Sequence, residues 1–333
     1  MNSKVLVTGA SGFVGRELCK ELSRRGESVV AIVRESTGVE VLSTQEFRIA
    51  DLAENRDWSS VFEGVGVVVH LAARVHMMGE KASQNLDDYR ALNVEGTERL
   101  ARAAAVQGVR RFIFLSSIKV NGESTQPGRP YTPDDVPGPV DAYGISKLEA
   151  EKALRKLAKE TGMEVVIIRP VLVYGPGVKA NFRTMMRAMN RGIPLPLGSI
   201  DNRRSLVALE NLVDLIATCK DHSNAAGQIF LVSDGHDLST TELLRRTSLA
   251  LGRSPRLFPL SNWFLRMAAR IIGKTDFVER LCGSLQVDIT KTRTLLNWTP
   301  PVKLDVALEK AAASFLATEM SLNRDDGPNK QSW

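Results

Sequence analysis

Val5-Leu6-Val7-Thr8-Gly9-Ala10-Ser11-Gly12-Phe13-Val14-Gly15 is the stretch that decides the fold. A short apolar run ends in glycines spaced three apart, and a helical pattern follows from about Phe13 to Arg25. Each glycine answers a separate steric need. A tight turn needs a residue without Cβ, a bound diphosphate needs close backbone approach, and the helix must pack tightly on the strand. A helix N-terminus with free N–H groups favours an anion. In this strand–turn–helix setting the motif is specific, and it reads as a dinucleotide site lined by Gly9, Ser11, Gly12, Phe13, Val14 and Gly15.

Working outward, strand-like runs at Ser28–Val33, Val65–Leu71, Arg111–Leu115 and Glu164–Ile168 alternate with helical patterns at about Leu92–Gln107 and Ala142–Thr161. Apolar strands separated by helices imply a parallel sheet covered on both faces. Right-handed crossovers make it doubly wound. The expected fold class is therefore α/β, a doubly wound parallel sheet of Rossmann type with a smaller α/β C-terminal substrate lobe. Proline and glycine become frequent between Pro170 and Gly198. Residues 1–175 are read as the dinucleotide-binding domain. Residues 176–320 are read as mainly the substrate lobe, with segments returning to the first domain. Residues 321–333 are read as a disordered tail.

The chain has 333 residues, 43% hydrophobic and 25% charged, with a formal net charge of +6. This is an ordinary globular composition. No block of Lys and Arg stands out, so nucleic acid is not an expected partner. The mild positive balance suits an anionic ligand. Cys19, Cys219 and Cys282 show no metal or redox spacing, and they read as reduced thiols of a cytoplasmic protein. No signal-peptide pattern precedes the first strand, no apolar run is long enough to cross a bilayer, and no metal site is expected.

The second strand ends in Arg34. An acid here would bind the ribose hydroxyls of NAD, whereas Arg can pair with a 2′-phosphate, so Arg34 favours NADP over NAD. Asp51 and Leu52 are placed to meet the adenine. Tyr143 and Lys147 share one face of an expected helix. A phenol is a weak base at a pKa near 10, and a neighbouring ammonium stabilises its phenolate. Tyr143 can then exchange a proton with a substrate hydroxyl while hydride moves. Ser117, at the end of the strand Phe112–Leu115, can hydrogen-bond the same hydroxyl.

These pieces, with His70-Leu71-Ala72-Ala73, Asn93, Leu115-Ser116-Ser117, Arg169-Pro170 and Val173-Tyr174-Gly175-Pro176-Gly177, make the chain resemble the extended short-chain dehydrogenase/reductases. Within them it is similar to the nucleotide-sugar epimerase and reductase branch. The resemblance implies catalysis by Ser117, Tyr143 and Lys147, with Tyr143 and Lys147 also on the cofactor. It places Leu71, Ala72, Ala73, Asn93 and Pro170 at the cofactor and implies a UDP-sugar substrate and a homodimer.

The resemblance leaves the reaction open. Sugar dehydratases carry an acidic pair after the catalytic Ser or Thr, and here Ile118 and Lys119 stand there. Arg34, and Val120-Asn121-Gly122 where many epimerases read Val-Tyr-Gly, favour a 4-ketoreductase of a UDP-4-keto-6-deoxy-N-acetylhexosamine in surface-polysaccharide synthesis. The alternative is a UDP-glucose or UDP-N-acetylglucosamine 4-epimerase with retained NAD. A hydroxysteroid or flavonoid-type reductase is a further rival, and a non-catalytic cofactor sensor would lack the intact Ser–Tyr–Lys set.

On the substrate side, Arg204 matches a family arginine that grips the nucleotide diphosphate, as an Arg fork suits paired phosphate oxygens. Asn181 matches a substrate-contacting position, and Arg280 is the candidate second phosphate arginine. Trp263–Lys274 is amphipathic and basic, and it is read as the outer face of a packed helix in preference to a membrane contact. His70 is read as a packed histidine.

Overall fold

The computed structural model describes residues 3–35, 37–49, 57–74, 86–271, 273 and 275–325. The apolar runs become a parallel sheet. β1 (Lys4–Thr8), β2 (Val29–Arg34), β3 (Gln45–Ile49), β4 (Val65–His70), β5 (Arg111–Leu115) and β6 (Glu164–Pro170) are joined by α1 (Phe13–Arg24), α2 (Leu86–Arg90), α3 (Thr97–Val106) and α4 (Ala142–Thr161). β7 (Leu172–Tyr174), α5 (Ala180–Asn190), β8 (Leu206–Ala208), α6 (Leu209–Asp221) and β9 (Ile229–Val232) follow. The chain continues through α7 (Thr240–Ala250), α8 (Asn262–Ile271), α9 (Thr275–Cys282), α10 (Thr290–Leu296) and α11 (Leu304–Asp325). Seven strands run in the order β3-β2-β1-β4-β5-β6-β9, all parallel, and β7 pairs with β8 in a second small sheet. The order reverses at β1, so the β1 and β4 ends form the crevice where doubly wound sheets bind ligands.

The strands read as unbroken apolar runs because both faces are covered. Val5, Val7, Val67, Val69, Val166 and Ile168 pack under α1 and α6. Leu6, Val65, Val68, Val165 and Ile167 pack on the opposite face with Leu100 and Ala104 of α3 and Leu154 and Leu157 of α4. α6 and β9 thus return to the main sheet. A third cluster, with Phe182, Met186, Leu243, Leu244, Leu308 and Phe315, binds α5, α7 and α11 into the smaller lobe.

Three elements differ from the expectations. β3 is absent from the reading because Gln45-Glu46-Phe47-Arg48-Ile49 has no apolar run, and as the edge strand it pairs only with β2. The helix expected over Leu92–Gln107 is divided, with a wide π-type turn at Ala91–Gly96 between α2 and α3. Helix α11 continues to Asp325, past the Ser321 where the tail was expected. Glu319 accepts from Arg183 at 3.1 Å and Arg187 at 2.8 Å, which ties that end to α5. In α8, Leu265 is buried while Trp263, Phe264, Met267 and Ile271 are exposed. Among the described residues, no helix is long and apolar enough to cross a membrane.

Candidate active site

The glycine turn closes where β1 meets α1. Gly9 has φ +65°, and a Cβ there would lie 2.8 Å from the Ala72 amide nitrogen. At Gly15 a Cβ would lie 2.2 Å from the Gly9 carbonyl oxygen, so α1 approaches β1 as closely as a backbone allows. Gly12, the N-cap of α1, has no side chain to cap the first-turn amides, and that turn holds no acid. A dinucleotide diphosphate fits such an end. Ser11, Phe13 and Val14 are half-buried around it. The β4 end supplies the facing wall: Leu71 N donates to Thr8 O and Ala72 N to Thr8 Oγ1, each at 3.3 Å, and Ala73 follows. Ala10 N donates to Ile32 O at 3.3 Å, which sets the β2 end beside the turn, with Arg34 exposed there. Asp51 and Leu52 lie outside the described residues.

At the same carboxyl edge, Ser117 follows β5 and Tyr143 opens α4. The Ser117 side chain acts on the Tyr143 phenol and lowers its pKa, while its Oγ accepts from Lys119 N at 3.3 Å. Burial raises the phenol pKa and the Asp141 charge adds to this, against the lowering by Ser117. Lys147, one helical turn on, is 2% exposed with its Nζ 3.9 Å from the centroid of the Phe114 ring. Burial pulls its pKa down to about 7, opposed by the charge of Glu151. Tyr89 meets Tyr143 edge-on at 6.3 Å. Pro170 is buried at the end of β6.

Asn93 sits in the π-type turn, a feature frequent at functional sites. Its carbonyl oxygen accepts from Arg74 N at 2.8 Å, and its amide donates to Ser146 Oγ at 3.0 Å, so it braces the first turns of α4. His70 is a packed residue, as expected. Its Nδ1 pairs with Thr8 Oγ1 at 2.7 Å and its Nε2 with Thr97 Oγ1 at 2.9 Å, and its ring stacks on Phe114. Burial, with the charge of Lys147, lowers its pKa to about 3 and keeps it neutral.

The residues expected on the substrate side lie in separate segments of the chain. Arg204, half-buried, donates from Nη1 to the carbonyls of Arg280 at 2.8 Å and Gly283 at 3.1 Å. Burial lowers its pKa. Arg280 itself is exposed on α9, and Asn181 is exposed at the start of α5. The structure thus joins Arg204 to the Arg280 backbone. Lys274, the end of the expected basic helix, lies outside the described residues.

Asp141, Glu151 and Arg169 were given no role from the sequence, although Arg169 stands in the Arg169-Pro170 pair and Asp141 just before the α4 pattern. Asp141 caps α4, its Oδ1 accepting from Gly144 N at 2.7 Å. An Asp immediately before the helical pattern that opens at Ala142 was the available signal.

The profile of the NAD dependent epimerase/dehydratase family matches residues 5–233. The chain is 48% identical over 318 residues to a UDP-glucose 4-epimerase of Vibrio cholerae, covering 95% of this chain and 96% of that one. Its fold is similar to that of a Thermotoga maritima UDP-glucose 4-epimerase solved with UDP-glucose, with a TM-score of 0.76 and 22% identity over 95% and 99% of the two chains. It is also similar to MoeE5, solved with UDP-glucuronic acid and NAD, with a TM-score of 0.76 and 25% identity over 95% and 99%. The glycine turn, the Ser–Tyr–Lys set and the family match agree, and the chain belongs to the NAD dependent epimerase/dehydratase family as an enzyme of the short-chain dehydrogenase/reductase type.

Proposed function

We propose that the chain is a UDP-sugar 4-epimerase that retains NAD and takes UDP-glucose or its N-acetylated counterpart. The observation that carries this reading is the 48% identity, end to end, to a UDP-glucose 4-epimerase. It displaces the 4-ketoreductase expectation. That expectation leaned on Asn121, but Asn121 is buried and its side chain is spent inside the protein. Its Oδ1 accepts from Arg169 at 3.0 Å and its amide donates to Thr132 O at 3.0 Å. A residue so engaged carries no information about the direction of hydride transfer. The other support, Arg34, bears on the cofactor and not on the reaction.

The dinucleotide, when bound, supplies reversible hydride transfer. The chain's residues do the rest. The turn from Gly9 to Gly15 holds the diphosphate at the α1 N-terminus. Tyr143 takes the proton of the sugar 4-hydroxyl and returns it after the keto sugar has turned over. Ser117, after β5, orients that hydroxyl toward Tyr143. Lys147 as ammonium stabilises the phenolate. Arg204, with Arg280 beside it, holds the UDP diphosphate at the far end.

The test is incubation with UDP-glucose and UDP-N-acetylglucosamine without added cofactor, with the C4 epimers followed by NMR. Epimer formation without cofactor turnover supports the proposal. No epimer, with stoichiometric NADPH consumption on a UDP-4-keto-6-deoxy sugar, would reinstate the ketoreductase.

A further inference from the structure

Behind the Ser–Tyr–Lys set lies a buried polar network. Glu151 stands one helical turn after Lys147 on α4 and is 2% exposed, as is Arg169 at the end of β6. They form a two-pronged pair: Arg169 Nε donates to Glu151 Oε1 at 2.9 Å and Nη2 to Oε2 at 2.6 Å. Ser116, adjacent to Ser117, donates its hydroxyl to Glu151 Oε1 at 2.5 Å. Arg169 reaches through Nη1 to Asn121, which holds Thr132. One residue before Thr132, Tyr131 exchanges backbone bonds with Gln286 and Asp288 at 2.8 Å each. The carboxylate therefore ties together α4, β5, β6 and the segment that follows α9.

We propose that Glu151 is a positioning residue: pinned by Arg169 and Ser116, it sets a fixed negative charge one helical turn from the Lys147 ammonium and fixes Ser117 through its neighbour. This rests on the proposed epimerase reading. A buried ion pair adds little net stability, because desolvation offsets the attraction, so stability alone is a weak reason for one here. Its place fits a role in the reaction. Among the described residues, the groups around Lys147 offer it one carboxylate, Glu151. Tyr143 and Glu151 share its helix, His70 on β4 is neutral, β5 offers the Phe114 ring, and β6 offers Arg169, a cation already held by Glu151. Tyr89 and Asp141 act on Tyr143. Glu151 is thus the carboxylate on the same helix that opposes the loss of the Lys147 proton.

The test compares wild type, Glu151→Gln and Glu151→Asp, each first shown by thermal melting to be folded. Lys147 is titrated by 15N NMR of its Nζ, assigned with Lys147→Arg, and the pH profile of kcat is measured on UDP-glucose. In Glu151→Gln the Lys147 midpoint and the alkaline limb both move to lower pH by about one unit, the effect of losing one close counter-charge. Glu151→Asp restores most of the shift. A Glu151→Gln protein that keeps the wild-type midpoint and limb overturns the proposal, whatever its stability. A wild type that does not epimerise defeats the proposed function, while the NMR midpoint still decides the role of Glu151. If Glu151→Gln does not fold, it is remade together with Arg169→Met, so that no guanidinium is left buried and unpaired, and the same midpoint decides: a fall supports the proposal and an unchanged or raised midpoint sinks it.

Discussion

Lys119 and Asp141 form an ion pair that fastens the loop after Ser117 to the start of α4. Lys119 stands where a dehydratase would carry an acid, and its ammonium is shared between Asp141 and Glu123. The other oxygen of Asp141 accepts from Gly144 N. Asp141 therefore has two effects, a helix cap and a negative charge that raises the Tyr143 pKa. Asn caps helices as well as Asp does, so Asp141→Asn separates them. With the charge gone, the phenolate forms at lower pH, and the acid limb of kcat/KM moves downward while the melt changes little. A limb that stays in place would show that Asp141 acts through the cap alone.

Tyr143→Phe removes the proton carrier and leaves the glycine turn intact. Turnover falls by about a hundredfold to ten-thousandfold, the range a positioned acid–base group supplies. Dinucleotide affinity, measured by calorimetry, stays near wild type. Turnover within tenfold of wild type would assign the proton to another group.

The 2.2 Å approach of a position-15 Cβ to the Gly9 carbonyl leaves no room for alanine. Gly15→Ala must push α1 off β1, at a cost of about 2–3 kcal/mol by the usual effect of overpacking. It also displaces the diphosphate site. Urea unfolding and dinucleotide titration both register the change. Gly12→Ala, whose Cβ would lie 3.0 Å from the same oxygen, is milder.

Lys147 carries a stability consequence with a definite sign. Its folded pKa of about 7 lies below the ordinary 10.5. The unfolded chain binds more protons between those values, so stability from this group falls as pH drops from 10.5 towards 7. In the cofactor-free protein, Lys147→Met is inactive yet more stable than wild type at pH 7. Its advantage shrinks as pH rises towards 10.5, in denaturant melts taken across that range.

Arg34 is exposed at the end of β2, beside the glycine turn. If it meets a 2′-phosphate, Arg34→Ala weakens NADP binding by about tenfold, the loss of one charged hydrogen-bonding group. NAD binding changes by less than about twofold. Equal effects on both cofactors would place Arg34 away from the ribose.

Sequence alone determined the inner strands of the sheet, the glycine turn and the helical spacing of Tyr143 and Lys147. The apolar runs are long because both sheet faces are covered, and the glycines are legible because steric exclusion leaves no other residue type. Tyr143 and Lys147 are legible because a helix fixes their spacing. The tertiary structure decided what is non-local. The edge strand Gln45–Ile49 has too few apolar residues to show a pattern, and pairing with β2 defines it. The division of Leu92–Gln107 depends on Asn93 reaching the Arg74 backbone and Ser146. Asn121 looked like a mark of the reaction until its bond to Arg169 showed an internal role. Glu151 and Arg169 are eighteen residues apart in the chain and 2.6 Å apart at their charged atoms. Only folding of α4 onto the sheet brings them together, since desolvating both charges is tolerable only when each satisfies the other.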